Sequence, residues 1–337
     1  MKTVRTRLTF TRLAFALVTL TLVASNLLAG GAAVKTFSNP VLADDVPDPA
    51  ILKVARTYYA YSTNAGGQTV PVFRSADLVH WKAAGDALPV LPRWAQDGFT
   101  WAPDVLRVKS GYALYFTARH AASGRQCIGV AFSVQPQGPF VSRSASPLVC
   151  QLSLGGSIDA SGFTDHNGKQ YLYWKNDGNC CAQKTGLWVQ PLSADGLTLT
   201  GKPKDLIDNG QPWEGNLIEA PFVYLHAGRY YLFYSAAAWD SASYAVGYAV
   251  GPSPTGPFRK SASNPLLSTG GNMAGPGGEG VVTDAHNQAW MYYHAWSSSA
   301  IGYPSGQRAL HLSRLEWKGA VPVVKIDGRS QAAPITP

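Results

Sequence analysis

DASGFTDHNGKQYLYWK, residues 159–175, reads as two β-strands joined by a turn. An acidic residue opens it, His166-Asn167-Gly168 supplies the turn, and the closing run is rich in Tyr and Trp, which suit a pleated, half-buried surface. The phrase recurs as DPAILKVARTYYAYS from Asp48, APDVLRVKSGYALYFT from Ala102, EAPFVYLHAGRYYLFYS from Glu219 and GEGVVTDAHNQAWMYYH from Gly278. Successive starts lie 54, 57, 60 and 59 residues apart, so the chain carries five copies of one unit.

Further strand-like pieces precede the next start in most units: SADLVHW (75–81), QGPF (137–140) and TGPF (255–258). A unit of roughly four strands in about sixty residues is the size of a propeller blade. The expectation is an all-β, five-bladed β-propeller forming a single domain over residues 34–337, in preference to a β-sandwich with coincidental echoes. No apolar 3.6-residue period runs past a turn or two. The strand ALHLSRLEW (309–317) is assigned to the fifth blade, and the segment near Val34–Phe37 is a candidate to complete a sheet.

Working outward, the N-terminus reads as a secretory signal peptide, residues 1–33. Lys2, Arg5, Arg7 and Arg12 are followed by an apolar run from Leu13 to Leu28 and small residues from Ala29 to Ala33. The competing reading is an uncleaved membrane anchor, against which the short apolar run and the cleavage-type residues argue. Extracellular or periplasmic localisation follows, with no membrane partner after cleavage. The formal charge of +8 falls to about +4 once the leader's four cations are removed. No Lys/Arg cluster interleaves with aromatics, which excludes nucleic acid as a partner. Four cysteines in an exported chain allow three pairings. Cys127–Cys150 is favoured, leaving adjacent Cys180 and Cys181 as a vicinal disulfide or two thiols; no Cys/His spacing suggests zinc.

In a propeller the first strand of each blade lines the central channel, so the five unit starts should converge at its mouth. Three of them, Asp48, Asp159 and Glu219, are acidic in a chain with only 20 Asp and Glu. Gathered like charges repel and shift one another's pKa values, which a purely structural protein has little reason to arrange. The bland reading is that each only bonds turn amides; a cation site is another use. Paired carboxylates, one protonated and one ionised, are the apparatus of glycoside hydrolysis, and a third can tune the acid.

At these residues the sequence resembles glycoside hydrolase family 43, the arabinanase, α-L-arabinofuranosidase and β-xylosidase group. The likeness rests on DPAI (48–51), WAPDV (101–105), SIDASGFTDHNGKQYLYW (157–174) and EAPF (219–222), in this order and at blade spacing. The resemblance implies a five-bladed propeller and an inverting mechanism, with Asp48 as general base, Glu219 as general acid and Asp159 as the modulator of its pKa. Glu214 in WEGNLIEAP is a rival acid or a substrate contact; the repeat alignment favours Glu219. No cofactor is required. Many members carry a His in blade 5 (GPGH) associated with a channel cation such as calcium. Here the segment is GPGGEG, with Gly278 at the match, leaving Glu279 and His294 as weak metal candidates.

Sugars stack on aromatic rings, so Trp101, Trp213 and Trp239 are candidate subsite walls, with Trp94 and Phe99 in the loop before the second unit; Trp174 and Trp188 read as core. Arg308 is a candidate to bond sugar hydroxyls. The expected partner is an oligo- or polysaccharide, and the expected state a monomer. The family reading favours arabinose-releasing activity over a β-xylosidase, many of which add a C-terminal β-sandwich, whereas only about twenty residues follow Trp317 here. Readings of other classes are a non-catalytic propeller lectin and a cation-stabilised scaffold.

Overall fold

The computed structural model describes residues 1–3, 9, 36–326, 331–334 and 336. Most of the expected signal peptide, residues 1–33, lies outside the described residues. Residues 35–337 form one compact unit. Among the described residues no helix is long and apolar enough to cross a membrane.

Five antiparallel sheets follow one another along the chain. Blade 1 holds β2 (Ala50–Val54), β3 (Thr57–Tyr61), β4 (Pro71–Ser75) and β5 (Lys82–Asp86); a short β1 (Thr36–Phe37) precedes it. Blade 2 has three strands, β6 (Ala95–Val108), β7 (Gly111–His120) and β8 (Gln126–Ser133). Blade 3 holds β9 (Ser157–Thr164), β10 (Gln170–Asn176), β11 (Gly186–Pro191) and β12 (Lys204–Asp208). Blade 4 holds β13 (Ile218–His226), β14 (Arg229–Ala236), β15 (Ala245–Gly251) and β16 (Arg259–Lys260). Blade 5 holds β17 (Met273–Thr283), β18 (Ala289–Ser297), β19 (Ala309–Lys318) and β20 (Val321–Val324). The first strands touch in the cyclic order β2, β6, β9, β13, β17 and back to β2, which makes the ring.

The second strand of each blade is aromatic-rich because both of its faces are buried. Along β7, Leu114 and Phe116 pack toward blade 1 while Ala113 and Tyr115 pack toward blade 3. Along β10, Leu172 and Trp174 face blade 2 while Tyr171 and Tyr173 face blade 4. The period of two along a strand thus feeds two apolar interfaces, and five such clusters sit between successive blades, the last joining Trp290, Tyr292 and Leu312 to Tyr58 and Phe73 of blade 1.

Each blade is built from consecutive strands, and the ring is closed by the segment before blade 1 running along β19. Asn39 exchanges two hydrogen bonds with the backbone of Leu312, and the amides of Val41 and Val46 donate to the carbonyls of Leu310 and Arg308. The segment at Thr36–Phe37 completes no blade. It pairs with β21 (Gln331–Ala332) in a separate two-stranded ribbon.

The structure corrects the repeat alignment by one residue in blade 4. Every first strand carries a kink with positive φ, or in blade 1 directly follows one: Asp48 (48°), Ala102 (40°), Asp159 (58°), Ala220 (52°) and Gly278 (59°). In blades 2 to 5 the ladder register slips at that kink, and the residue just before it pairs across to the second strand: Trp101 with Thr117, Ile158 with Lys175, Glu219 with Ser235, Gly277 with His294. Ala220, not Glu219, is therefore the counterpart of Asp48 and Asp159. A one-residue offset in a strand points the side chain elsewhere, and Glu219 turns toward blade 3.

Candidate active site

The kinks ring the mouth of the channel. Asp48, Ala102, Asp159, Ala220 and Gly278 all line one small cavity of about 50 Å3, together with Asp104, Glu279 and Tyr292. That space holds water but not a sugar ring, so a glycan would lie over it, against the surrounding loops.

The kink amides are held by the neighbouring blade. Ala102 N–H donates to Thr63 Oγ1, Asp159 N–H to Thr117 Oγ1 and Gly278 N–H to Ser235 Oγ, at 2.9, 3.2 and 2.9 Å. Asp48 N–H closes the series by donating to His294 Nδ1 at 3.0 Å. The exception is blade 3, whose corresponding side chain is Lys175, which has no acceptor. There the Ala220 amide donates to Asp159 Oδ2 at 3.0 Å instead. This substitution frees Lys175 for another task.

Lys175 is fully buried and places Nζ 2.8 Å from Glu219 Oε2, while Tyr244 donates to Glu219 Oε1 at 2.7 Å. Burial works against the charge of Lys175, but Glu219, Asp159 and Asp177 outweigh it and raise its pKa. Asp159 keeps one edge on the channel yet is otherwise enclosed. Burial, then the Glu219 charge, pushes it up to about 8 against the opposing pull of Lys175. Asp48 has different surroundings. Arg308 Nη1 donates to Oδ1 at 3.0 Å and Thr63 Oγ1 to Oδ2 at 2.6 Å. Arg308 is itself 7% exposed and lies under Trp239, its guanidinium 4.6 Å from that ring. Trp239 and Tyr303 remain exposed above it, their rings 6.1 Å apart.

The three acids thus sit in three environments. One is salt-bridged to an arginine, one is buried with its pKa raised, and one is held by a lysine and a tyrosine hydroxyl. Carboxyl groups differentiated in this way can divide acid and base work.

Other sequence candidates fall elsewhere. Glu214 is fully buried and does not line the mouth. Its oxygens accept from Lys260, Tyr234 and the amides of Gly210 and Gln211, so it is not free to meet substrate, and the substrate-contact expectation is corrected. Burial opposes its charge, but those donors hold its pKa below the usual carboxylate range. Trp213 bonds Gln211 and packs on Tyr234 and Gly247, between blades rather than over the mouth. Trp101 is half-buried at the position equivalent to Glu219. Trp94 and Trp174 are core, while Trp188 is partly buried against the interface of blades 2 and 3; Phe99 carries Arg119 on its face at 3.6 Å.

Both disulfides are formed, Cys127–Cys150 and Cys180–Cys181. The His120, Cys127, Cys150 group therefore has both sulfurs engaged. At Gly278 the resemblance implied an imidazole for a channel cation. A Cβ there would lie 2.7 Å from His294 Nδ1 and 3.1 Å from Asp48 Cα, so the space is already filled. His294 is neutral, its pKa driven well down by burial and then by Arg308, and its Nδ1 is committed to the Asp48 amide. Gly278 itself therefore leaves no room for a ligating side chain, while His294 Nε2 and Glu279 Oε1 are buried with no hydrogen-bond partner among the described residues. Glu279 is buried, takes a bond from Ser235 and is pushed up to about 8 by burial.

Thr63, Lys175 and Tyr244 were not singled out from sequence. Lys175 stands at the end of an aromatic second strand, but so does Arg119 in blade 2, so its place carried no distinct signal; Tyr244 sits in a loop and carried none.

Comparison with known proteins gives the family and the fold. The family model for glycosyl hydrolases family 43 matches residues 37–321. The chain is 28% identical to the Aspergillus niger protein named beta-D-galactofuranosidase xynD, over 80% of this chain and 79% of that one. It is also 28% identical to the extracellular exo-alpha-(1->5)-L-arabinofuranosidase ArbA of Cellvibrio japonicus, over 74% and 76%. The crystal structure of a thermostable family-43 glycoside hydrolase superposes with a TM-score of 0.81 at 32% identity, over 89% of this chain and all of that one.

Proposed function

The chain belongs to glycosyl hydrolases family 43 and is a glycoside hydrolase, and from that premise we propose that it is an inverting enzyme that releases arabinose from plant cell-wall glycans. Asp48 is the general base, Glu219 the general acid and Asp159 the modulator. The observation that carries this assignment is the separate partnering of the acids, with Arg308 and Thr63 on Asp48 and Lys175 and Tyr244 on Glu219.

In the proposed reaction Asp48, held by Arg308 and Thr63, takes a proton from water as the water oxygen attacks the anomeric carbon. The bond from that carbon to the leaving oxygen breaks, and Glu219 gives its proton to that oxygen. Repulsion between Asp159 and Glu219 opposes ionisation of both at once and so keeps one proton on the pair for delivery, and the bond from the Ala220 amide to Asp159 fixes the chain beside the acid. Each step uses only these side chains and water; no cofactor is invoked. The arabinose preference draws on the named arabinofuranosidase among the relatives, and export to the extracellular space draws on the basic and then apolar leader.

The test is sugar release from linear arabinan, arabinoxylan and xylan by the wild type and Asp48→Asn, with the anomer of the first product followed by NMR. Release of arabinose in inverted configuration, lost in Asp48→Asn, is expected. Xylose as the main product would move the substrate to xylan, retained configuration would remove the base assignment, and binding without release would leave a lectin.

A further inference from the structure

A disulfide between adjacent residues closes no loop of chain, so it removes almost no entropy from the unfolded state. Cys180–Cys181 therefore contributes little as a staple, unlike Cys127–Cys150, whose partners lie 23 residues apart. What it does is fix local shape, in the short 3-10 turn Gly178–Cys181 that ends on Ala182 at a φ of 54°.

That turn belongs to the rim of the mouth. Strand β10 runs antiparallel to β9, with Lys175 opposite Ile158 and Asn176 opposite Ser157, so the connection after β10 emerges where Asp159 stands. Asp177, at its start, is pushed up to about 6 by burial, with the charges of Lys175, Glu219 and Arg125 all acting on it. This is the side of the site where the general acid lies. Arg125 comes from the equivalent connection of blade 2 and lays Nη1 on both sulfurs, at 3.2 Å from Cys180 Sγ and 2.7 Å from Cys181 Sγ. The guanidinium is exposed, and its Nε and Nη2 have no hydrogen-bond partner among the described residues. A planar cation parked on a rigid sulfur platform, with donors free at a sugar-cleaving mouth, is preorganised for hydroxyl groups.

Resting on the glycosidase reading above, we propose that Arg125, seated on the Cys180–Cys181 platform, binds the leaving-group side of the glycan. Its Nε and Nη2 donate to hydroxyls of the sugar unit that departs with the Glu219 proton. The vicinal disulfide is the positioning element that holds the guanidinium in place.

The test is calorimetric binding of linear arabino- and xylo-oligosaccharides in an Asp48→Asn background, with and without Arg125→Ala or the double change Cys180→Ser, Cys181→Ser. Affinity for the better oligosaccharide should fall about tenfold with Arg125→Ala, the loss of a charge-assisted hydrogen bond, and by less with the double change. In the active enzyme, kcat/KM for that oligosaccharide should fall relative to an aryl pentoside, whose leaving group offers no hydroxyls. Equal affinity with and without Arg125, or an equal fall on both substrates, overturns the proposal. A wild type that binds oligosaccharide through Arg125 but cleaves none would instead overturn the hydrolase mechanism and leave this site standing.

Discussion

At the scale of single residues, the acids were legible to different degrees. Asp48 and Asp159 occupy the kink shared by the first strands of the blades, so the repeat located them. Glu219 was identified by the EAPF motif, while the repeat argument for it was off by one position, because a bulge hides one residue from a strand-by-strand count. Its partners Lys175 and Tyr244 come from another blade and a loop, and no sequence spacing joins them. The proposed role makes a sharp prediction: Glu219→Gln should lose about 10²–10⁴-fold in kcat on unactivated arabino-oligosaccharides. On an aryl pentoside with a good leaving group it should lose far less, since that oxygen departs without a proton. Equal losses on both would remove Glu219 from the acid role. Glu279 makes a second prediction. The folded protein holds its proton up to about pH 8, whereas the unfolded chain releases it near the ordinary value of 4.5. The native state therefore binds more protons in that window, and stability falls as pH rises through it. Asp159, also raised to about 8, acts in the same sense. Glu279→Gln should consequently flatten the decline of Tm between about pH 4.5 and 8, and an unchanged slope would show that Glu279 does not titrate there.

At the scale of elements, the kinks and the second-strand ends form one device. Each kink amide is captured by the blade before it, through Thr63, Thr117, Ser235 or His294, and blade 3 departs from the pattern to supply Lys175. The aromatic strands and turn residues made the blades readable, because burial on both faces writes itself into composition. The kinks were not readable, since Ala102 and Ala220 are residues with no preference for positive φ and are held there by tertiary bonds. Gly278 is the place where the device leaves least room. Gly278→Ala would keep a strained φ of 59° and press a methyl on His294 Nδ1 at 2.7 Å. The expected cost is about 1 kcal/mol or more in chemical denaturation. A fall in kcat is expected with it, because the displaced His294 holds the Asp48 amide. Full activity in Gly278→Ala would show that the His294 bond does not position the base.

At the scale of the whole molecule, a ring of five blades has one joint that the chain does not make by simple succession, between blades 5 and 1. The sequence suggested that residues near Val34–Phe37 complete a sheet there; the joint instead uses residues 39–46 laid along β19, because backbone and side-chain bonds to an existing strand edge satisfy its polar groups without adding a strand to blade 1. The same joint brings Arg308 of blade 5 onto Asp48 of blade 1, so its rigidity and the base's geometry are one property. Asn39 is the residue that tests this, since its amide both donates to and accepts from the Leu312 backbone at 2.8 Å and touches neither Arg308 nor Asp48 by a hydrogen bond. Asn39→Ala should cost about 1–3 kcal/mol in urea unfolding, the penalty for leaving partly buried backbone groups unpaired. If the joint positions the base, kcat should fall with the stability while KM for an aryl pentoside holds, and the activity should lose its heat tolerance before the bulk fold melts. A loss of stability with kcat unchanged would mean that Arg308 holds Asp48 without help from the closure.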